Sequence, residues 1–296
     1  MNGHKDEGNE ACVSSLSEYD SDSNSSSSSD YESGIPRSSL SPLTKARFLA
    51  ARSILEYPHI SDTLSATDSL LLDFACGTGA LSQRLASHVD RILGIDIDAC
   101  AVQHFNTRAR NQGIDENEMW AIHCDVLNEN SLVHGETWFG KVDGVASAMG
   151  FHHLQDIALV TKVLVDRFLK VGGWIAVVDL MYTPYTSAIF ANAKTATNHR
   201  ENDGHVHGHS HHHAHHVGGI KADDIARAFK SAGLDSVDVF EHVFDISITV
   251  PRRLLPVRYT GHESGSSTTG PAIFATPDGA EVEVVLPYLL AVGKKL

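Results

Sequence analysis

The sequence predicts an α/β fold, a mainly parallel sheet with helices on both faces, and three observations predict it. Short apolar runs alternate with longer helical patterns from residue 69 to residue 180. The first run, LLLDFA, leads into a cluster of small residues, CGTG, suited to a strand-to-helix turn. After Leu180 the rhythm breaks, and two stretches rich in β-branched and aromatic residues close the chain as an antiparallel pair. Strands joined through helices pair in parallel, and the connecting helices cover both faces of the sheet.

Residues 1–40 have a different composition from the rest. Ten positions from Ser14 to Ser29 are serine, and residues 1–34 hold eight acids against Lys5, a net of −7. Such a segment buries too little apolar surface to offset its ordering entropy, so a disordered, Ser- and acid-rich tail is expected. Residues 41–296 are the expected folded domain. Ser41-Pro42 reads as a helix start, a serine cap with proline in the first turn. Leu43, Ala46, Ala50, Ile54 and Tyr57 then mark one packing face, and Pro58 is the expected stop.

The alternation proper runs LLLDFA, ALSQRLASHV, RILGID, ACAVQHFNTRAR, MWAIHCD, VDGVASAM, LQDIALVTKVLVDRFLK and, after Gly172-Gly173, WIAVVDL. Residues 182–220 read as an irregular insertion with eight histidines between His205 and His216. With no cysteine or acid cluster to fix a geometry, this run is expected to be a low-complexity, substrate-side loop with no metal site. The helix KADDIARAFKSAG and the stretches VDVFEHVFDISITV and VEVVLPYLLAVG complete the chain.

Composition bounds the function. With 37 acids against 23 bases, a net of −14, attraction to nucleic acid or anionic lipid is disfavoured. No apolar run approaches the roughly 20 residues that span a bilayer. The cysteines Cys12, Cys76, Cys100 and Cys124 stand far apart, and MNGHKDEGNE is not a secretory signal, so reduced thiols and a cytoplasmic or nuclear location are expected.

The small-residue turn narrows the chemistry. Gly77 and Gly79 let the backbone turn sharply and approach a ligand, and a helix beginning near Gly79 would add open N–H groups. No GK[ST] follows, which excludes a P-loop, and Ser82 stands where a dinucleotide fingerprint wants a third glycine or an alanine, so that fingerprint fits only partly. Asp73 before the turn would repel a pyrophosphate and suits a cation. Asp96, 17 residues after Gly79, ends the second strand, where a carboxylate can accept from both ribose hydroxyls. Asp125, past the third strand, is placed to accept from an exocyclic amine. An acid for an ammonium, one for a ribose and one for an adenine edge together describe S-adenosylmethionine.

In order and spacing, DFACGTGAL, GIDID, HCDVL, ASAMGFHHLQD and FLKVGGWIAVVDL resemble the class I S-adenosylmethionine-dependent methyltransferases, most closely those related to ubiquinone and menaquinone biosynthesis. The later HHVGGIKADDIARAFKSAGL and LLAVGKK are similar to fungal members. The resemblance covers residues 42–296 and implies a Rossmann-like, seven-stranded mixed sheet with the last strand antiparallel. It implies cofactor contacts at Asp73, Ala75, Gly77, Gly79, Asp96, Asp125 and Val126. It also places Ser147 to Phe151, and with them Met149, beside the transferred methyl. Ala75 departs from the family's glycine. The implied partner is a small-molecule methyl acceptor, with no nucleic acid, membrane or metal, and no oligomeric state is implied. His152 and His153 are the candidates for a general base, and Tyr182 and Tyr185 for the acceptor pocket. Asp98 reads as a helix cap. The histidine loop and the helix after Ser41 are the candidate lid. The competing readings are a nicotinamide-dependent oxidoreductase and a non-catalytic binding or metal-sensing protein on the same fold.

Overall fold

A computed structural model describes residues 41–128, 131, 136–198, 215–255, 273–275 and 280–296. The expected tail at 1–40 and the histidines from His205 to His213 lie outside the described residues.

Helix α1 (Pro42–Leu55) starts with a Ser41 cap: its Oγ accepts the Thr44 N–H at 3.2 Å, and Pro42 fills the first turn. Ala46, Ala50, Ala51 and Ile54 form its buried face, whereas Leu43 is 39% exposed. The helix ends at Leu55, and Tyr57, extended before Pro58 (φ −74°, ψ 118°), keeps it from continuing, as expected of that proline. Pro58 also opens a second short helix, α2 (Pro58–Ser61), because a proline costs nothing at a first helical position.

Strands β1 (Leu70–Phe74), β2 (Arg91–Asp96), β3 (Met119–His123), β4 (Val142–Ala148) and β5 (Leu169–Leu180) pair in parallel in the order 3-2-1-4-5. β8 (Glu281–Lys295) lies antiparallel between β5 and β6 (Leu234–Pro251), which makes the order 3-2-1-4-5-8-6. The three-residue β7 (Ile273–Ala275) pairs with the first half of β8. The sheet is therefore mixed and Rossmann-like, seven full strands with the last reversed.

Its two faces follow from the period of two along each strand. Leu72, Phe74, Leu93, Ile95, Ile175 and Val177 share one buried cluster with Val160 of α5 (Ile157–Val163) and with Ile225 and Phe229 of α7 (Ala222–Ser231). Leu71, Ile92, Trp174, Ala176 and Val178 face the other way, against Ala50 and Ile54 of α1 and Val102 and Phe105 of α4 (Ala99–Asn111). Helices thus cover both faces, and the apolar layers they bury dominate the stability, at roughly 1.5–3 kcal/mol per large side chain.

Three details depart from the sequence reading. The expected turn at Gly172-Gly173 lies inside β5; helix α5 instead loosens into a π-turn at Leu164–Phe168, and β5 begins at Leu169 with a register shift against β4 between Val142 and Gly144. Lys295 Nζ donates to the Val165 and Leu169 carbonyls, both at 2.7 Å, and so satisfies that irregular turn. Residues 182–220 are not irregular throughout, since α6 spans Pro184–Asn198. Thr183 and Thr186 cap each other's N–H groups at its start, at 2.9 and 3.0 Å, and Pro184 follows the first of them. Lastly, Cys100, half-buried in the first turn of α4, is disulfide-bonded, against the expectation of four reduced thiols; Cys76 and Cys124 are free and buried.

β3 is an edge strand of the sheet, and Asn106 of α4 satisfies it. The buried Asn106 amide donates to the Ala121 carbonyl at 2.9 Å and accepts the Ala121 N–H at 2.8 Å. Asn106→Ala should therefore lower the unfolding free energy by about 2–4 kcal/mol, because a buried donor and acceptor lose their partner together. Urea denaturation with an unchanged midpoint would show that this edge needs no such pairing.

Candidate active site

β1 lies between β2 and β4, so the chain order of the sheet reverses there, and the loops leaving the carboxyl ends of those strands diverge to leave a crevice. A cavity of about 1260 Å³ occupies this place. It exceeds the roughly 300–1,000 Å³ that holds one drug-sized ligand, which leaves room for two reactants.

The turn after β1 forms one wall. Ala75 (φ +56°), Gly77 (φ +51°) and Gly79 (φ +87°) all adopt left-handed backbone conformations. Gly79 is required twice over, since a Cβ there would also lie 2.7 Å from the Phe105 ring. Ala75, the departure from the family's glycine, bears the cost of that conformation, about 1–2 kcal/mol. Its methyl is accommodated because Gly150 faces it: a Cβ on Gly150 would stand 2.5 Å from that of Ala75. The helix expected near Gly79 begins one turn later, as α3 (Ser82–Leu85). Two N–H groups expected to be open to a ligand are used internally, Gly79 to the Cys76 carbonyl at 3.0 Å and Ser82 to Asp73 at 3.2 Å.

All three acids predicted from the sequence line the cavity. Asp73 is 1% exposed, and its Oδ2 accepts the Ser82 hydroxyl at 2.6 Å as well as the Ser82 N–H. Burial pushes its pKa up to about 7; the Ser82 bonds oppose this and the Asp96 charge adds to it. No side-chain cation pairs with Asp73 among the described residues. Asp96 Oδ2 accepts the Gly77 N–H at 2.7 Å and Oδ1 the Asp98 N–H at 2.9 Å, so the strand-end acid holds the glycine turn at the cavity wall. Asp125 Oδ1 accepts the Leu127 N–H at 2.9 Å, and Val126 is buried beside it. Asp98 caps α4 through the N–H groups of Cys100 and Ala101. Thr78 Oγ1, buried in the cavity wall, has no hydrogen-bond partner among the described residues. A buried acid without a counter-cation, strand-end carboxylates and an unpaired hydroxyl fit a small cationic nucleoside bearing its own donors and acceptors.

The loop after β4 forms the opposite wall. Met149 (φ +60°) donates its N–H to the Val178 carbonyl at 2.9 Å, which pins the loop to β5. His152 lines the cavity with its Nδ1 2.6 Å from Asp179 Oδ1, while Asp179 Oδ2 accepts the Phe151 and His152 N–H groups at 2.8 and 3.1 Å. Asp179, completely buried at the end of β5, is the site residue that the sequence reading missed; its only signal was an acid inside an apolar strand. Burial draws the His152 pKa down, but the Asp179 charge and hydrogen bond outweigh this and hold it above its ordinary value. The His153 ring packs against that of His152 at a centroid distance of 4.0 Å. Neither expected tyrosine lines this cavity: Tyr185 is buried in a separate cluster, and the Tyr182 ring carries Lys221 Nζ at 4.9 Å. Tyr288 of β8, Phe190 of α6 and Leu43 of α1 line it instead.

Fold and site together define a Rossmann-like domain built around a crevice at the carboxyl ends of its parallel strands. Residues 71–173 match the methyltransferase domain family. An uncharacterised methyltransferase of Schizosaccharomyces pombe is 30% identical over 171 residues, 57% of this chain and 54% of that one. One from Mycobacterium tuberculosis is 31% identical over 114 residues, 38% of this chain and 50% of that one. The chain thus spans about half the length of the curated relatives it matches. The YcgJ protein of Bacillus subtilis shares the fold with a TM-score of 0.56 at 15% identity, over 82% of this chain and 98% of its own. So does a putative methyltransferase of Bacillus halodurans, with a TM-score of 0.52 at 16% identity, over 80% and 97%.

Two outcomes follow from this geometry. Gly150→Ala should destabilise the protein by about 1–3 kcal/mol through overpacking, and Ala75→Gly in the same chain should restore most of the loss; additive effects in the double-mutant cycle would refute the contact. Because folding raises the Asp73 pKa from 3.8 to about 7, it favours the protonated form, and the stability this gives is lost as pH rises through that window. Asp73→Asn should therefore raise the thermal midpoint near pH 8 and do so less near pH 5.5. An equal shift at both would show that the buried charge is not the cause.

Proposed function

We propose that the protein transfers a methyl group from S-adenosylmethionine to a small-molecule acceptor. The observation that carries this reading is Asp73, a buried carboxylate without a cationic partner among the described residues, facing the same cavity as Asp96 and Asp125. In this reading Asp73 serves the ligand's positive end, while Ala75, Gly77 and Gly79 bring backbone close to it. Asp96 takes the ribose hydroxyls, Asp125 and Val126 take the adenine, and Met149 stands at the methyl. A dinucleotide would instead set a pyrophosphate beside Asp73, a like-charge contact, which disfavours the oxidoreductase reading.

S-adenosylmethionine supplies an electrophilic methyl on a sulfonium, and the protein's own contribution is to position the acceptor and keep water out. α1 and α6 contribute Leu43 and Phe190 to the acceptor end, so the choice of acceptor belongs to these elements. Residues 41–296 act as one domain, 1–40 as a solvating tail and 182–220 as the acceptor-side insertion. The net charge of −14 favours a small molecule over nucleic acid. No helix of the described residues is long and apolar enough to cross a membrane, and a cytoplasmic location accords with that.

Calorimetric titration with S-adenosylmethionine and S-adenosylhomocysteine tests the cofactor. Incubation of metabolite extract with isotopically labelled donor, followed by mass spectrometry, tests the transfer. Asp96→Ala should weaken cofactor binding about tenfold, as expected when hydrogen bonds to a charged group are lost. An unchanged dissociation constant would remove Asp96 from the site.

A further inference from the structure

Resting on that reading, the geometry points to the acceptor's chemistry: we propose that His152, positioned by Asp179, is the base that takes the proton of an aromatic hydroxyl on an otherwise apolar acceptor. Four donors converge on Asp179. They are the N–H groups of Phe151, His152 and Leu180, the last at 2.7 Å, and the imidazole of His152 at 2.6 Å. Only an ionised carboxylate accepts them all, and because it can only accept, Nδ1 of His152 must carry hydrogen. The neutral ring then has its lone pair on Nε2, directed away from the buried Asp179. The His152 side chain is 19% exposed, and it lines the cavity. The backbone of His152 is held as well, since its carbonyl accepts the His216 N–H at 3.0 Å. The segment before His152 is tied to the small-residue turn through the Gly150–Ala75 contact.

The surroundings select the acceptor. Leu154, Leu180, Phe190, Leu286 and Tyr288 give this end of the cavity an apolar, partly aromatic lining that suits a flat ring. A base is needed only where the nucleophile still carries a proton, which singles out a hydroxyl over a tertiary amine. The proton passes from the acceptor oxygen to Nε2 of His152. The oxygen's lone pair forms the new bond to the methyl carbon, and the pair of the broken carbon–sulfur bond stays on sulfur. An ether and an imidazolium paired with Asp179 result, and the imidazolium returns its proton to solvent. The titratable groups around His152 are Asp179 from β5, His153 beside it, Tyr288 from β8, whose own pKa burial and the Asp179 charge push up to about 12, and His215 along the cavity. Asp179 supplies the strong attraction for a proton at His152.

The test uses the full chain saturated with S-adenosylhomocysteine, with 4-nitrophenol as probe, at a pH where the free probe is mostly un-ionised. Bound probe should show the phenolate absorption band. His152→Gln should reduce the phenolate fraction about tenfold, the ratio that one pKa unit represents, while S-adenosylhomocysteine affinity is unchanged. Asp179→Asn should act the same way and lower the His152 midpoint in an NMR titration. Should that variant not fold, the wild-type spectrum and His152→Gln decide the matter. No probe binding, binding as the neutral phenol, or an unaltered band in His152→Gln overturns the proposal. Calorimetric heat with S-adenosylhomocysteine in any of these cases leaves the cofactor reading standing, and its absence removes both.

Discussion

Because β1 pairs in parallel with β2 on one side and β4 on the other, the loops that follow these three strands must leave the sheet at the same edge. Everything at the site depends on that constraint. It sets Ala75 against Gly150, brings the Asp96 carboxylate to the Gly77 N–H, and lets β5 reach the loop after β4 with Asp179. None of these contacts is local in sequence. Each exists because parallel strands of comparable length end at one level.

The cavity concentrates negative charge where burial makes charge expensive. Asp73 is held by Ser82 alone among the described residues, Asp96 by backbone amides, and Asp179 by four donors. These three environments differ in how complete they are. Asp179 is fully supplied and acts as a fixed support, whereas Asp73 has no counter-charge among the described residues and stores a cost that a cation beside it would relieve. Sites that bind charged ligands commonly carry such instability in the free protein.

Much of this was legible in the sequence, for reasons that can be named. The Ser41 and Asp98 caps were readable because capping is decided within three residues, and the strands because their apolar runs are short and bounded. The strand-end acids were readable from their spacing to the glycines. Asp179 was not, because its meaning comes from His152, 27 positions earlier, and from the register of β5. Helix α6 was missed because the neighbouring histidine run coloured the whole stretch as irregular, although Thr183, Pro184 and Thr186 already spelled its start. The left-handed backbone at Ala75 and Met149 has no signature in residue type at all.

The excursion between β5 and α7 begins and ends at one spot. Tyr182 N–H donates to the Ile220 carbonyl and Ile220 N–H to the Leu180 carbonyl, both at 2.8 Å, and Gly219 packs directly on the Leu180 backbone. Zipped shut at its base, this stretch is a cassette: lengthening it costs only the slow logarithmic rise of loop-closure entropy, and the sheet beneath need not respond. Material added to or removed from this stretch therefore leaves the turn after β1 and the strand-end acids where they are.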